Sequence, residues 1–160
     1  MSIWGGITGG LVGFVVLGPI GALVGSVIGS NISSRSKRRR PNNFDQQVAF
    51  FAALFACLAK IAKADGRVDE AEIKKIEEII SSKLNLNKEH RHFAINIFQK
   101  AKEDNISFEA YASNLYQILS SSPNSLLVFY EMLFELALAD GILHPNEDAL
   151  LKKIPRIFRF

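Results

Sequence analysis

Two short stretches hold the carboxylates best placed to do chemistry. "ADGRVDEAE" begins at Ala64 and "ADGILHPNE" at Ala139. Each reads Asp-Gly, an apolar residue two places after the Gly, and a Glu seven places after the Asp, so Asp65, Gly66 and Glu72 recur as Asp140, Gly141 and Glu147, 75 residues later. The chain has 11 glycines, and the two that lie beyond residue 30 are Gly66 and Gly141. One account is purely structural. A Gly after a helix takes the left-handed conformation that ends it. The next helix then starts at Asp69 or His144, with Glu72 or Glu147 three residues on as the second half of a capping box, and with Pro145 at a first-turn position that needs no N–H. Asp65 and Asp140 fit this account less well, because the negative end of a helix disfavours a carboxylate by roughly 0.3–1 kcal/mol. They ask for a partner. Backbone amides of the following turn are one kind. A hard cation held by gathered carboxylates, calcium above all, is the other, although the spacing is not that of the twelve-residue EF-hand loop.

The remaining reactive residues point away from catalysis. His90 and His92 are two apart, do not share a helix face and read as solvated. Cys57, the single cysteine, lies in the apolar run "FFAALFACLAK" and reads as a buried thiol in a reducing compartment. No Ser–His–Asp set, phosphate-cradling Gly-rich loop or Cys cluster occurs, so an enzyme is not expected.

Charge is segregated along the chain. The net +3 arises from Arg35, Lys37, Arg38, Arg39 and Arg40; after residue 40 there are 14 basic and 16 acidic residues, a net of −2. The folded part lacks the basic surface a nucleic-acid-binding domain carries. Before the cluster, residues 1–34 contain no charged side chain, and Ile3–Ile28 is a 26-residue apolar, Gly-rich run. About 20 such residues cross a bilayer. The basic residues follow the run, unlike a signal peptide, and favour its C-terminal side facing the cytoplasm against anionic headgroups. Trp4 reads as an interfacial anchor. Gly5, Gly9, Gly13, Gly21, Gly25 and Gly29 recur at intervals of four with one gap, a stripe suited to close helix pairing and a homodimer. Gly18-Pro19 interrupts the run, read as one kinked span because each half alone is too short to cross.

The elements that must position the two motifs are helices. Apolar spacing predicts helices over about 44–64 and 70–82, a third after Asn87, a fourth capped by Ser107, a fifth through Leu126–Ala137 and a sixth through Leu150–Ile154, with no strands. Phe55, Leu58, Ile61 and Ala62 correspond to Tyr130, Leu133, Leu136 and Ala137 at the same 75-residue offset, which suggests a doubled helix–loop–helix. The expected organisation is all-α: a transmembrane anchor over 1–34, a basic linker over 35–43, and a bundle of about six to seven helices over 44–160.

The paired "ADGRVDEAE" and "ADGILHPNE", each after an apolar helix, resemble the TerB-like domain, an all-helical module named for tellurite resistance. The segment "IWGGITGGLVGFVVLGPIGALVGSVIGSNISSRSKRR" resembles the N-terminus of the DnaJ-like membrane co-chaperone family, DjlA, in which a Gly-rich span precedes a cytoplasmic TerB-like domain and a J domain. The resemblance implies a bacterial inner-membrane location with the bundle in the cytoplasm. It also implies divalent-metal binding by Asp65, Glu72, Asp140 and Glu147. The printed sequence has no His-Pro-Asp triplet; His144-Pro145-Asn146 lies inside the second motif and reads as a helix start. Stimulation of a chaperone ATPase is therefore not expected of these residues. The resulting expectation is a membrane-anchored module in stress or envelope homeostasis that binds a metal or a protein, with a chaperone-system or envelope protein as partner. The alternative is a shortened DjlA-type co-chaperone acting in dimerisation or docking.

Overall fold

A computed structural model describes residues 18–28, 43–64, 70, 74, 77, 78, 82, 88–138 and 143–160. Among these residues every regular element is a helix, and the chain is all-α. In chain order they are α1 (Pro19–Ile28), α2 (Asn43–Lys63), α3 (Lys88–Glu103), α4 (Phe108–Leu119), α5 (Pro123–Ala137), α6 (Pro145–Leu151) and α7 (Ile154–Ile157). Glu70, Lys74, Glu77, Glu78 and Ser82 are also helical, at a spacing that places them along one side of the helix expected over 70–82.

The 21-residue α2 is the axis of the bundle, and α1, α3, α4, α5 and α6 all pack on it. Ala52 through Ala59 are buried without a break, so this helix is apolar all round, as a helix surrounded by others must be. Its Gln46–Lys63 portion is long and apolar enough to cross a membrane. It is nevertheless the core of the bundle, with Val48, Leu54, Phe55, Cys57 and Ile61 at 1% exposure or less. The expectation of a membrane span belongs to the N-terminal run and not to this helix. Small residues Ala49, Ala52, Ala53, Ala56 and Ala59 let neighbouring helices approach, and Phe50 meets Phe129 of α5 edge-to-face at 5.4 Å. Phe129 in turn meets Phe158 at 5.8 Å, which ties the C-terminal residues to the core.

The local sequence signals work as anticipated at two helix starts. Ser107 is the N-cap of α4, its Oγ accepting from the Ala110 N–H at 3.0 Å. Pro145 opens α6. The sixth helix is shorter than the apolar spacing suggests: α6 ends at Leu151 and a separate turn, α7, follows from Ile154. Asn87, the expected cap of α3, lies outside the described residues.

Of the N-terminal run expected to form one kinked span, residues 18–28 are described. Gly18 has φ +93 and stands outside the helix, which begins at Pro19. A positive φ of this size suits glycine, which has no Cβ to clash. The described part of α1 runs from Pro19 to Ile28. It lies on the bundle against α2, α3 and α4, with Ile20, Leu23 and Val24 buried. A Cβ placed on Gly25 would meet nothing within 4 Å among the described residues. Gly5, Gly9, Gly13 and Gly29, Trp4 and the basic cluster from Arg35 to Arg40 lie outside the described residues.

Candidate site where the two motifs meet

The described ends of the two Asp-Gly motifs, Ala64 and Asn146, are distant in sequence and adjacent in space. α2 leads into the first motif, and its last turn, through Ala64, stands beside the start of α6, which carries the end of the second. The side-chain amide of Asn146 donates to the Ala64 carbonyl at 3.2 Å, across 82 residues of sequence. This bond takes up one of the carbonyls that a helix C-terminus leaves without an internal partner. Next to it, the Glu147 carboxylate accepts the His144 backbone N–H at 3.0 Å through Oε1. Asn146 and Glu147 therefore act at opposite polarities: one closes the end of α2, the other opens α6.

Of the residues expected to form a metal site, Glu147 is described, and its observed role is the helix-start role that the capping-box spacing predicts. Asp65, Glu72 and Asp140, with Gly66 and Gly141, lie outside the described residues. Among the described residues no three His, Cys, Asp or Glu side chains gather as a metal cluster. The donor set still suits a hard, oxygen-seeking cation, since all four expected ligands are carboxylates. The Asn146–Ala64 bond joins the described ends of the two motifs at one end of α2.

A second polar cluster, which the sequence did not single out, lies at the end of α3. Asp104 accepts from Lys60 Nζ at 2.6 Å, from the Ile106 N–H at 2.9 Å and from the Tyr111 hydroxyl. Lys60 also donates to the Asp104 carbonyl at 3.1 Å, and Lys63 to the Lys102 carbonyl at 2.9 Å. Two lysines of α2 thus occupy the negative end of α3, where cations are favoured. Burial, then the hydrogen bond to Asp104 and its charge, push the Tyr111 hydroxyl well above its ordinary range. Burial also pushes the Cys57 thiol up, against a smaller downward pull from Lys60, so Cys57 is an inert packing thiol. A polar residue in a mostly apolar helix was the available clue, but Asp104 and Lys60 are 44 residues apart and nothing in their spacing pairs them.

A third feature is Asn114, the buried polar side chain among the described residues, at 7% exposure. Its Oδ1 accepts the Ile20 N–H at 2.9 Å. The first-turn amides of a helix have no internal acceptor, so Asn114 of α4 caps α1 from outside. Its position on the apolar face of α4, between Tyr111 and Leu115, was a legible signal that the sequence reading passed over.

Comparison with known proteins places these features. Residues 51–160 match the family model of the tellurite resistance protein TerB, and residues 1–39 match that of the co-chaperone DjlA transmembrane domain. The match at residues 1–39 marks a membrane-anchored protein. Among curated proteins, the chain is similar to co-chaperone protein DjlA of Photobacterium profundum, 37% identical over 121 residues, 76% of this chain and 43% of that protein. It is also similar to DjlA of Vibrio parahaemolyticus, 32% identical over 116 residues, covering 72% of this chain and 40% of that one. DjlA of Escherichia coli K12 is 33% identical over 110 residues, covering 69% and 40%. The chain spans about two fifths of the length of these relatives. No solved structure matches it. With both Asp-Gly motifs inside the matched 51–160 and a DjlA-type membrane segment before them, the chain belongs to the TerB family and resembles the portion of DjlA that precedes a J domain.

Proposed function

We propose that this chain acts as the anchoring and docking portion of a DjlA-type co-chaperone, with its TerB-like bundle on the cytoplasmic side of the bacterial inner membrane. The observation that carries this reading is the order of the two matched modules, the transmembrane domain at 1–39 and TerB at 51–160. The relatives are named co-chaperones, which agrees with a binding role and not a catalytic one. The basic cluster after the apolar run supports the orientation, and the unpaired, buried Cys57 suits a reducing compartment. In this reading the bundle holds a second copy or a chaperone-system partner, and the glycine stripe of the anchor assists pairing. The test is a chimera in which residues 1–160 replace the matching segment of the Escherichia coli relative. Recovery of membrane location and co-chaperone activity, relative to that relative lacking the segment, is expected. A chimera that reaches the membrane yet works no better than the deletion overturns the reading.

The contact between Asn146 and Ala64 favours a second layer to this function. We propose that Asp65, Glu72, Asp140 and Glu147 together hold a divalent cation, calcium before others, at the joined ends of the two motifs. Such an ion would offset carboxylates placed at helix C-termini. Calorimetry on the full chain in detergent with calcium, magnesium, manganese and zinc tests it. Binding tighter than millimolar that is lost in the Asp65→Asn, Asp140→Asn double variant is expected; no binding, or binding unchanged in that variant, removes the proposal.

A further inference from the structure

One side of α5 is apolar and faces outward. The large apolar side chains exposed among the described residues are Leu127 at 45%, Val128 at 47%, Phe134 at 37% and Phe160 at 55%, and all of them lie on α5 or at the residue that rests on it. Leu126, Phe129 and Leu133 hold that helix in the core, so its opposite side carries the exposed set. Leu127, Tyr130 and Phe134 follow one another at helical spacing, and the Tyr130 ring meets Phe134 at 6.4 Å and Phe160 at 6.1 Å. The stripe is continuous, and a continuous exposed apolar patch marks an interaction site. Its two edges differ in charge. Glu131 is exposed beside Leu127, on the side away from Phe160. Beyond Phe160, the Arg159 guanidinium stands 5.4 Å from the centre of the Tyr116 ring of α4. An aromatic centre with one acidic and one basic edge suits a protein partner, not a bilayer whose anionic headgroups would repel Glu131.

We propose that this face of α5 pairs with the same face of a second copy, about a two-fold axis that runs along the helix. An axis in that direction sets Glu131 of each copy against Arg159 of the other, whereas an axis across the helix would oppose like charges. The same direction satisfies the membrane. α5 passes Phe50 of α2 at Phe129, and the chain that follows α5 arrives beside Ala64 at the end of α2, so the two helices run in one sense. A two-fold axis along α5 therefore leaves both α2 starts, and with them both anchors, on one side of the pair; an axis across it would send the anchors to opposite sides. One helix stripe is a small interface for a dimer in free solution, and two anchors held in one bilayer supply the effective concentration that a small interface needs. The pairing rests on the proposed anchoring and adds, in the soluble bundle, a contact separate from the glycine stripe.

The test uses the full chain in inner-membrane vesicles. Leu127 lies near the axis and so meets Leu127 of the second copy. Leu127→Cys is oxidised with copper phenanthroline, and its disulfide-linked dimer is compared with that of Asn105→Cys, an exposed position between α3 and α4; the buried Cys57 serves as the unreactive background. Several-fold more dimer from Leu127→Cys is expected, and equal yields overturn the proposal. In the Leu127→Cys chain, Glu131→Arg alone and Arg159→Glu alone are each expected to lower the yield about fivefold, and the two together to restore it, because the exchanged charges face each other again across the axis. A double variant that yields no more dimer than the single ones overturns the pairing. Cross-linking of Leu127→Cys to a different protein, with none between copies, assigns the face to another partner and also overturns it. Carbonate extraction of the same vesicles reads the anchoring separately: release of the chain overturns that reading, while the charge dependence of the cross-link decides this one.

Discussion

Asn146 and Glu147 show how much of the second motif is explained by helix ends. Glu147 closes the backbone of α6 on itself, and Asn146 closes that of α2. Glu147→Ala is expected to lower stability by about 0.5–2 kcal/mol without any added cation, the usual cost of losing a cap. Asn146→Ala is expected to cost about 0.5–1.5 kcal/mol, the net worth of one hydrogen bond. Urea unfolding of the full chain measures both, and a Glu147→Ala variant as stable as wild type in chelator would remove the capping role. The pH dependence rests on Cys57 and Tyr111. Burial raises both above their ordinary values of 9.0 and 10.0. The folded state keeps protons that the unfolded state releases above those values, so the contribution is complete below pH 9 and is lost as pH rises further. Stability should therefore fall from about pH 9 upward, and less steeply in Cys57→Ala and Tyr111→Phe. An unchanged slope in both variants would contradict the burial of these groups.

Elements are held by two kinds of contact. α2 supplies apolar surface on all sides, while its last turn supplies Lys60 and Lys63 to the carbonyl end of α3. The aromatic chain from Phe50 through Phe129 to Phe158 joins α2, α5 and the residue that ends α7. Phe129→Ala is expected to cost about 3–5 kcal/mol, as truncation of a fully buried aromatic side chain leaves a cavity. Ser107→Ala at the start of α4 should cost about 1 kcal/mol. The two losses should add in denaturant titration if the sites are independent. A Phe129→Ala cost below that of Ser107→Ala would mean that α5 is not seated in the core.

At the scale of the whole molecule, the N-terminal run matches a membrane anchor and the later helices form a bundle around α2. The glycine stripe bears on the anchoring role of that run. Gly9→Leu with Gly25→Leu is expected to weaken association of the full chain in a membrane two-helix assay. It should leave the bundle folded, since a Cβ at Gly25 meets nothing within 4 Å among the described residues. Association unchanged by both substitutions would assign any pairing to the bundle instead.

The sequence by itself determined the all-helical class, the extent of α2, the caps at Ser107 and Pro145, and the burial of Cys57, because each follows from spacing or from chemistry within a few residues. It also made the doubled Asp-Gly motif and the apolar anchor visible. Only the tertiary structure decided that Ala64 meets Asn146, that Asp104 gathers Lys60 and Tyr111, and that Asn114 caps the turn after Gly18. These partners lie 82, 44, 7 and 94 residues apart, and all but the Tyr111 pairing are set by how helices pack and not by local sequence. The burial of α2, which is apolar enough to cross a membrane, belongs to the same class. Hydropathy measures an affinity for any apolar surroundings, and only the fold decides whether lipid or protein supplies them.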